Sequence, residues 1–435
     1  MLMKSVVRNI KTNRNPFILF LPFLILYILL ILFFSKNENY GDESRYLMYA
    51  QNLVHGFYSP PPPDIDLGNG PGYPLLLVPF VALHIPVIYI KLLNALFYYL
   101  SIIFFFKSLQ QFVTFKSATV FSIIWALYPS LYESLPYTLP EVFASFLIPL
   151  LVFTLVKSFK NGIRTEKRKY YMLFAGLSFG YLALTKPIFG YVIITMMVGM
   201  GLLWITNRKN TTYKKSISIL IIAFISTVPY LAYTHHLTGK MFYWSSYGGN
   251  NLYWMSSPYE KEYGSWAPNS NRTSDFKDQE SNIIGYADSI IKYHNADFAY
   301  VNQFKGVEHD EAYKRIAIQN IKSHPVKFLK NCLSNFGRIV FNYPYSYKIQ
   351  NPGTLFRIPF NGTILLLMLF CGIPGIIYWK KINFSLRFML LFALIYLGGS
   401  LLGSAETRMF TLIVPIFLFW IAFILSRSRI KFKFD

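Results

Sequence analysis

The sequence predicts an all-α polytopic membrane protein of about ten transmembrane helices, with a small extracytoplasmic domain of mixed or mainly helical structure. Three observations predict it. Hydrophobic residues make up 54% of the 435 and charged residues only 14%, against about 25% charged in a soluble domain. Many apolar runs reach the ~20 residues that cross a hydrocarbon core. The basic residues collect in alternate loops, as the positive-inside rule requires.

The elements follow in order. Lys4, Arg8, Lys11 and Arg14 form a cytoplasmic anchor ahead of the first span, about 16–34. No small-residue cleavage site follows it, so it reads as a retained span rather than a signal peptide. The loop 35–88 carries Asp42-Glu43, the stiff extended run Pro60 to Pro63, and Gly70-Pro71-Gly72-Tyr73-Pro74. The apolar run 75–88, broken by Pro79, His84 and Pro86, reads as a re-entrant or interfacial helix. Further spans are expected at about 88–106, 117–133, 141–156, 170–184, 188–206 and 216–235, then at 357–379, 386–403 and 409–426. Between them lies the extramembrane stretch 236–355, which holds ten of the chain's 20 acids. Its first part, 239–274, reads as ordered loops; helical patterns follow near 278–293 and 308–340, the latter interrupted at His324-Pro325. This gives three units. Residues 1–235 form an N-terminal transmembrane catalytic module with outer loop 35–88, 236–355 an extracytoplasmic domain, and 356–435 C-terminal spans with a basic tail.

The net charge of +22 is a matter of topology. With both termini in the cytoplasm, the cytoplasmic segments hold 23 Lys and Arg against two acids, Glu166 and Asp435, and the remainder holds 19 against 18. Anionic membrane lipids are the implied partner, and a nucleic acid is not. The chain is therefore expected to be a multi-pass protein of the cell (inner or plasma) membrane. Cys332 and Cys371 fall in different compartments, so no disulfide is expected, and no metal-ligand spacing is present.

The stretch that carries chemistry is Gly41-Asp42-Glu43-Ser44-Arg45-Tyr46-Leu47-Met48-Tyr49. Two adjacent carboxylates follow directly where a helix leaves the bilayer, and ionisable groups at that position are functional candidates. Ser44 to His55 reads as a short amphipathic surface helix. Glu141, Lys186, Glu406 and Arg408 played no part in choosing the orientation, yet all fall on the outer face with Asp42 and Glu43. Carboxylates and cations meeting beside the bilayer suit a substrate with a lipid tail and a phosphate head. In a sugar transfer from such a donor, a carboxylate takes the acceptor's proton and cations stabilise the departing phosphate.

Residues 41–74, with Asp-Glu, the following Tyr46 and the Pro-Gly-Tyr-Pro lead-in at Tyr73, resemble the GT-C superfamily of membrane glycosyltransferases. The nearest branch is that of the protein O-mannosyltransferases and lipid A aminoarabinose transferases. The resemblance continues in Tyr128-Pro129 with Pro140-Glu141, and in Gly176 to Pro187, where Lys186 stands for the usual Arg. It reappears at Gly249 to Tyr253, at Ile321 to Leu329, and at Glu406-Thr407-Arg408, where Met409 replaces a Tyr. It implies the GT-C fold and an inverting, metal-independent transfer on the extracytoplasmic face, from a polyprenyl-phosphate sugar to a lipid, glycan or protein. Asp42 is then the expected base and Glu43 its support. Glu141, Lys186, Arg408, Arg45, Tyr46 and Tyr73 are expected to bind substrate. No cofactor is expected. Asp64 and Asp66 could hold a divalent cation, although paired carboxylates in a Pro-rich loop are more often solvated.

Other readings stand beside these. Asp42 could simply cap its helix, Glu141 could answer a helix dipole, Lys186 could snorkel, and Arg408 could pair with Glu406. At the level of function, a flippase or transporter of lipid-linked sugars predicts repeats and midplane polar groups. A surface-glycan polymerase or ligase predicts more outer arginines than are found.

Overall fold

A computed structural model describes residues 15–36, 42–269, 286–347 and 353–427. Gly41, the basic N-terminal anchor and most of the C-terminal tail lie outside the described residues. Among the described residues helices are the regular structure, joined by loops, and there is no strand. It is an all-α, polytopic fold.

The first span is split into α1 (Pro16–Leu19) and α2 (Leu21–Phe34). It starts where Asn15 Oδ1 accepts from Phe17 N at 3.1 Å and Pro16 supplies a helical φ. Then come α3 (Glu43–Val54), α4 (Gly72–Ala82), α5 (Val87–Leu109), α6 (Phe115–Ala126) and α7 (Pro129–Ser134). The third expected span, 117–133, is therefore not one helix. Pro129 lacks an N–H and pushes Tyr128 into extended backbone, so α6 stops and the short α7 begins. The apolar run after Tyr73 yields only the 11 residues of α4, about 16 Å of helix and too short for a bilayer core.

Next are α8 (Pro140–Phe159), α9 (Thr165–Thr185), α10 (Ile188–Thr206) and α11 (Thr211–Thr238). The helix α9 starts five residues before the expected span, inside the basic segment. After the helices of 236–355 come α16 (Gly353–Ile377) and α17 (Phe384–Ser400), then the one-turn α18 (Thr407–Thr411) and α19 (Val414–Arg427). Among the described residues, five helices (α5, α8, α10, α11 and α16) are long and apolar enough to cross a membrane. The shorter apolar α2, α6, α17 and α19 occupy four of the other expected spans.

The transmembrane part is layered, with α8 buried between α5 and α9, and α9 packed on α11. Small residues permit the last contact. A Cβ on Gly180 would lie 1.8 Å from Ser226 Oγ and 2.5 Å from Ala223 O, and one on Gly176 would meet Ile222 Cγ2 at 2.5 Å. The outward faces are apolar: Ile25, Leu29 and Phe33 on α2, and Leu366, Leu369 and Ile373 on α16, are all exposed. So large an apolar surface belongs against lipid.

The stretch 236–355 contains α12 (Gly248–Met255), α13 (Tyr286–Val301), α14 (Gly306–Ser323) and α15 (Pro325–Phe341). The expected break at His324-Pro325 separates α14 from α15. A second core forms here from Tyr253, Trp254, Phe298, Val301 and Tyr313. The part expected to be loops alone contains α12, whose Gly249 and Asn250 amides donate to Asp310 at 3.0 Å each.

Candidate active site

Two long loops bring the site together. After α3 the chain returns through 55–71, and its glycines seat against the end of α9. A Cβ on Gly70 would lie 2.0 Å from Leu184 O, and one on Gly72 would lie 2.7 Å from Thr185 N. On the other side, Leu67 N donates to Ser246 Oγ and Ser246 N to Leu67 O, each at 3.1 Å. The start of α3, the residue that caps the end of α9, the first turn of α8 and the start of α18 thus face a common point.

Arg408 is at that point. Its Nη2 lies 3.3 Å from Asp42 Oδ2, its Nη1 3.5 Å from Glu141 Oε1 and its Nε 3.0 Å from Glu406 Oε2. Glu141 also takes the Lys186 ammonium at 2.6 Å. Asp42 takes Arg45 Nη2 at 2.8 Å. Residues 42, 45, 141, 186, 406 and 408, drawn from four separate parts of the sequence, form one charged network. Burial differs across it. Glu141 is 1% exposed, whereas the side chains of Asp42 and Arg408 are about a third exposed (32% and 33%). The network is therefore anchored at Glu141 and open towards Asp42.

The simpler roles are only partly met. Asp42 occupies the N-cap position of α3, but its side chain makes no capping hydrogen bond. Lys186 does not reach solvent freely; it is held on Glu141. Arg408 does pair with Glu406, and with two further carboxylates.

Glu43 points the other way. It is fully buried and accepts from Thr138 N at 2.6 Å, with Lys91 Nζ 3.9 Å away. Lys91 in turn donates to Lys36 O at 2.9 Å. This carboxylate ties α3 to α5 and to the loop before α8. Tyr46 accepts from Asn69 Nδ2 at 2.8 Å and packs edge-on against Tyr73, ring centroids 5.4 Å apart. Both rings are buried. Among the described residues the Tyr73 hydroxyl and Glu141 Oε2 have no hydrogen-bond partner, which is costly for buried polar atoms unless a ligand meets them.

Several contributors escaped the sequence reading. Lys91 sits in an apolar run, and a lysine inside a span was the available signal. Tyr247 lies under the Arg45 guanidinium, 5.2 Å from ring centroid to carbon, and accepts from its Nη1 at 3.3 Å. Asp66, set aside as solvated, accepts from the Tyr49 hydroxyl at 2.6 Å and from Gly68 N at 3.0 Å. Asp64 is exposed and pairs with Lys305 at 3.1 Å. Among the described residues no group of three or more His, Cys, Asp or Glu side chains is placed to hold one metal ion.

Chemically, the site offers an open carboxylate at Asp42 beside three cations, Arg45, Lys186 and Arg408. Each cation is already paired with a carboxylate. An entering anion would compete with Asp42 and Glu406 for Arg408, because those two partners are the more exposed ones.

No family model and no curated sequence matches the chain. Solved structures do. The oligosaccharyltransferase of Archaeoglobus fulgidus, tethered with an acceptor peptide containing the NVT sequon, aligns with TM-score 0.52 at 12% identity, covering 94% of this chain and 49% of that one. Its apo form gives 0.50 at 11%, covering 92% and 50%. ArnT from Cupriavidus metallidurans bound to undecaprenyl phosphate aligns with TM-score 0.42 at 10% identity, covering 95% and 79%. This chain spans about half the length of the oligosaccharyltransferase. The likeness to that protein shows the fold, which this chain shares with the membrane part of a known oligosaccharyltransferase structure over nearly its whole length.

Proposed function

We propose that this chain is an integral membrane glycosyltransferase that moves a sugar from a polyprenyl-phosphate donor to an acceptor hydroxyl, with inversion. The observation that carries the reading is Arg408, which joins Asp42, Glu141 and Glu406 beside Lys186 in a chain of GT-C fold. That fold is shared with an enzyme whose structure holds an acceptor peptide.

In this reading the donor phosphate sits among Arg408, Lys186 and Arg45, displacing the exposed carboxylate contacts. Asp42, thereby released, accepts the proton of the acceptor hydroxyl. The acceptor oxygen attacks the anomeric carbon from the face opposite the phosphate. The bond from that carbon to the phosphate oxygen breaks, and its electron pair leaves on the lipid phosphate. The products are the inverted glycoside, polyprenyl phosphate and a protonated Asp42. The charge that grows on the leaving phosphate is met by cations already in place, so little reorganisation is needed. Glu141 keeps Lys186 and Arg408 aimed, and its free Oε2, with the Tyr73 hydroxyl, meets donor or acceptor hydroxyls. Glu43 fixes the start of α3 through Thr138. These cations come from the chain itself, which supports a metal-independent transfer.

The topology that goes with this reading places the site on the extracytoplasmic face, with both termini in the cytoplasm. Residues 236–355 form the extracytoplasmic domain between the two transmembrane units. The polar network lies at helix ends, which supports transfer over a midplane transport site. The test is consumption of a labelled polyprenyl-phosphate sugar by purified protein. Alanine at both Lys186 and Arg408 should abolish donor use. Retained donor use in that variant would refute the phosphate-binding roles.

A further inference from the structure

A second polar knot lies behind Arg408, on a different helix. Arg338 and Asn335, one turn apart on α15, are both fully buried. The Arg338 guanidinium donates to Ala405 O at 3.2 Å, Tyr263 O at 2.9 Å, Pro344 O at 3.0 Å and Gly264 O at 2.9 Å. It also donates to Asn335 Oδ1 at 2.7 Å. Among the described residues no carboxylate pairs with it. Burial brings its pKa down to about 10, against the pull of Tyr345 and Glu406, so it remains a cation at neutral pH. A buried cation neutralised only by carbonyl dipoles is expensive, and an apolar side chain would fill the space at lower cost.

Asn335 explains where that cost goes. Its amide nitrogen donates to Ser400 O at 3.1 Å, Leu401 O at 3.2 Å and Gly403 O at 2.7 Å. Its Oδ1 accepts from Ala405 N at 3.2 Å. Nearly the whole connection from α17 to Glu406 is therefore held by two side chains of α15. The Leu401 and Leu402 amides close the end of α17 on Leu397 O and Gly399 O, and the connection beyond them must deliver Arg408 to within 3.5 Å of Asp42 and Glu141. The same Arg338 also grips Tyr263 and Gly264, in the loop after α12.

We infer that Asn335 and Arg338 are positioning residues for Arg408, fixing the 400–405 connection so that the guanidinium stands ready for a lipid phosphate. Neither touches the charged network itself; they act through the backbone that carries Arg408. The extramembrane unit thereby becomes part of the site, because whatever shifts the 263–264 loop shifts the phosphate-binding arginine. The inference rests on the phosphate-binding role proposed for Arg408.

The test uses the full chain in lipid nanodiscs, with undecaprenyl phosphate as the probe. Asn335→Asp keeps size and the acceptor oxygen but removes the donor to three carbonyls. Arg338→Lys keeps the charge but loses the fork. Each should weaken undecaprenyl phosphate binding about tenfold, the order expected for lost aim plus unmet carbonyls. Combined with Arg408→Ala, neither should weaken it beyond Arg408→Ala alone, because the aim of an absent side chain has no value. Hydrogen exchange over 400–408 should rise in both variants while α8 stays protected. Multiplying penalties in the double variants, or unchanged exchange over 400–408, would overturn the positioning role. If wild type fails to bind undecaprenyl phosphate, the donor assignment falls instead, and the exchange measurement alone then decides whether α15 holds this connection.

Discussion

Replacing Lys186 by Met removes the nearest counter-charge of a carboxylate that has almost no contact with solvent. Glu141 is 1% exposed and its Oε1 lies 2.6 Å from Lys186 Nζ. Removing one partner of a buried ion pair costs about 3–5 kcal/mol, because the remaining charge is stranded. Here Arg408 Nη1 stays 3.5 Å from the same oxygen, so the low end, about 3 kcal/mol, is expected. Glu141→Gln is milder. It leaves Lys186, which is 18% exposed and can turn towards water, at about 1–2 kcal/mol. The double variant strands no charge, and its loss should fall well short of the sum, close to that of Glu141→Gln alone, with a coupling of about 3 kcal/mol. The assay is thermal unfolding in a fixed detergent, followed by tryptophan fluorescence and by the surviving monodisperse fraction. The order predicted is wild type first, the double variant and Glu141→Gln close together, and Lys186→Met last. Donor consumption should be lost in the double variant despite its recovered stability. If Lys186→Met unfolds like wild type, or the two penalties simply add, the pair is not a buried, mutually dependent unit.

Other outcomes follow from the same structure. Gly180→Ala puts a methyl 2.5 Å from the Ala223 carbonyl, so α9 and α11 must part; a loss of about 1–3 kcal/mol is expected, read as a lower unfolding temperature that Ser226→Ala only partly restores. Tyr247→Phe removes the 3.3 Å hydrogen bond to Arg45 but keeps the ring beneath it; a donor affinity loss below about fivefold is expected, against a larger loss for Tyr247→Ala. Asp310 is a pH probe of the 236–355 stretch. Burial, helped by the adjacent Glu311, moves it from the ordinary aspartate value of 3.8 to about 6, although Gly249 and Asn250 amides pull the other way. The folded form therefore holds this proton more tightly than the unfolded one, and the group favours folding below pH 4. Its contribution falls as pH rises through 6, by about 3 kcal/mol at most. Local hydrogen exchange of α12 measured from pH 4 to 7 should show that trend in wild type and lose it in Asp310→Asn.

Much of this architecture was legible in the sequence for a physical reason. Apolar runs and basic loops are read by a bilayer one segment at a time, so the spans show themselves without tertiary information. Residues at span ends are equally conspicuous, and Asp42, Glu141, Lys186 and Arg408 do meet in the structure. What the sequence could not give was partnership. Glu43 is adjacent to Asp42 in the chain, yet a helix start turns it away towards Thr138 and Lys91. Asp66 looked like a solvated loop carboxylate because nothing local indicates that Tyr49 returns to it. Nothing local in the sequence marks Asn335 and Arg338; only packing shows that they hold residues 400–405, some seventy positions later. The break at Tyr128-Pro129 was written in the proline but outweighed by the hydropathy of its neighbours.

The most direct test of the central claim is transfer of labelled sugar from a polyprenyl-phosphate donor by purified wild type and Asp42→Asn, with folding of both verified by monodispersity and thermal unfolding. The account predicts that wild type consumes the donor and releases polyprenyl phosphate, while Asp42→Asn folds and does not. Equal consumption by both would contradict the assignment of Asp42 as the base, and binding without consumption by wild type would contradict the transferase itself.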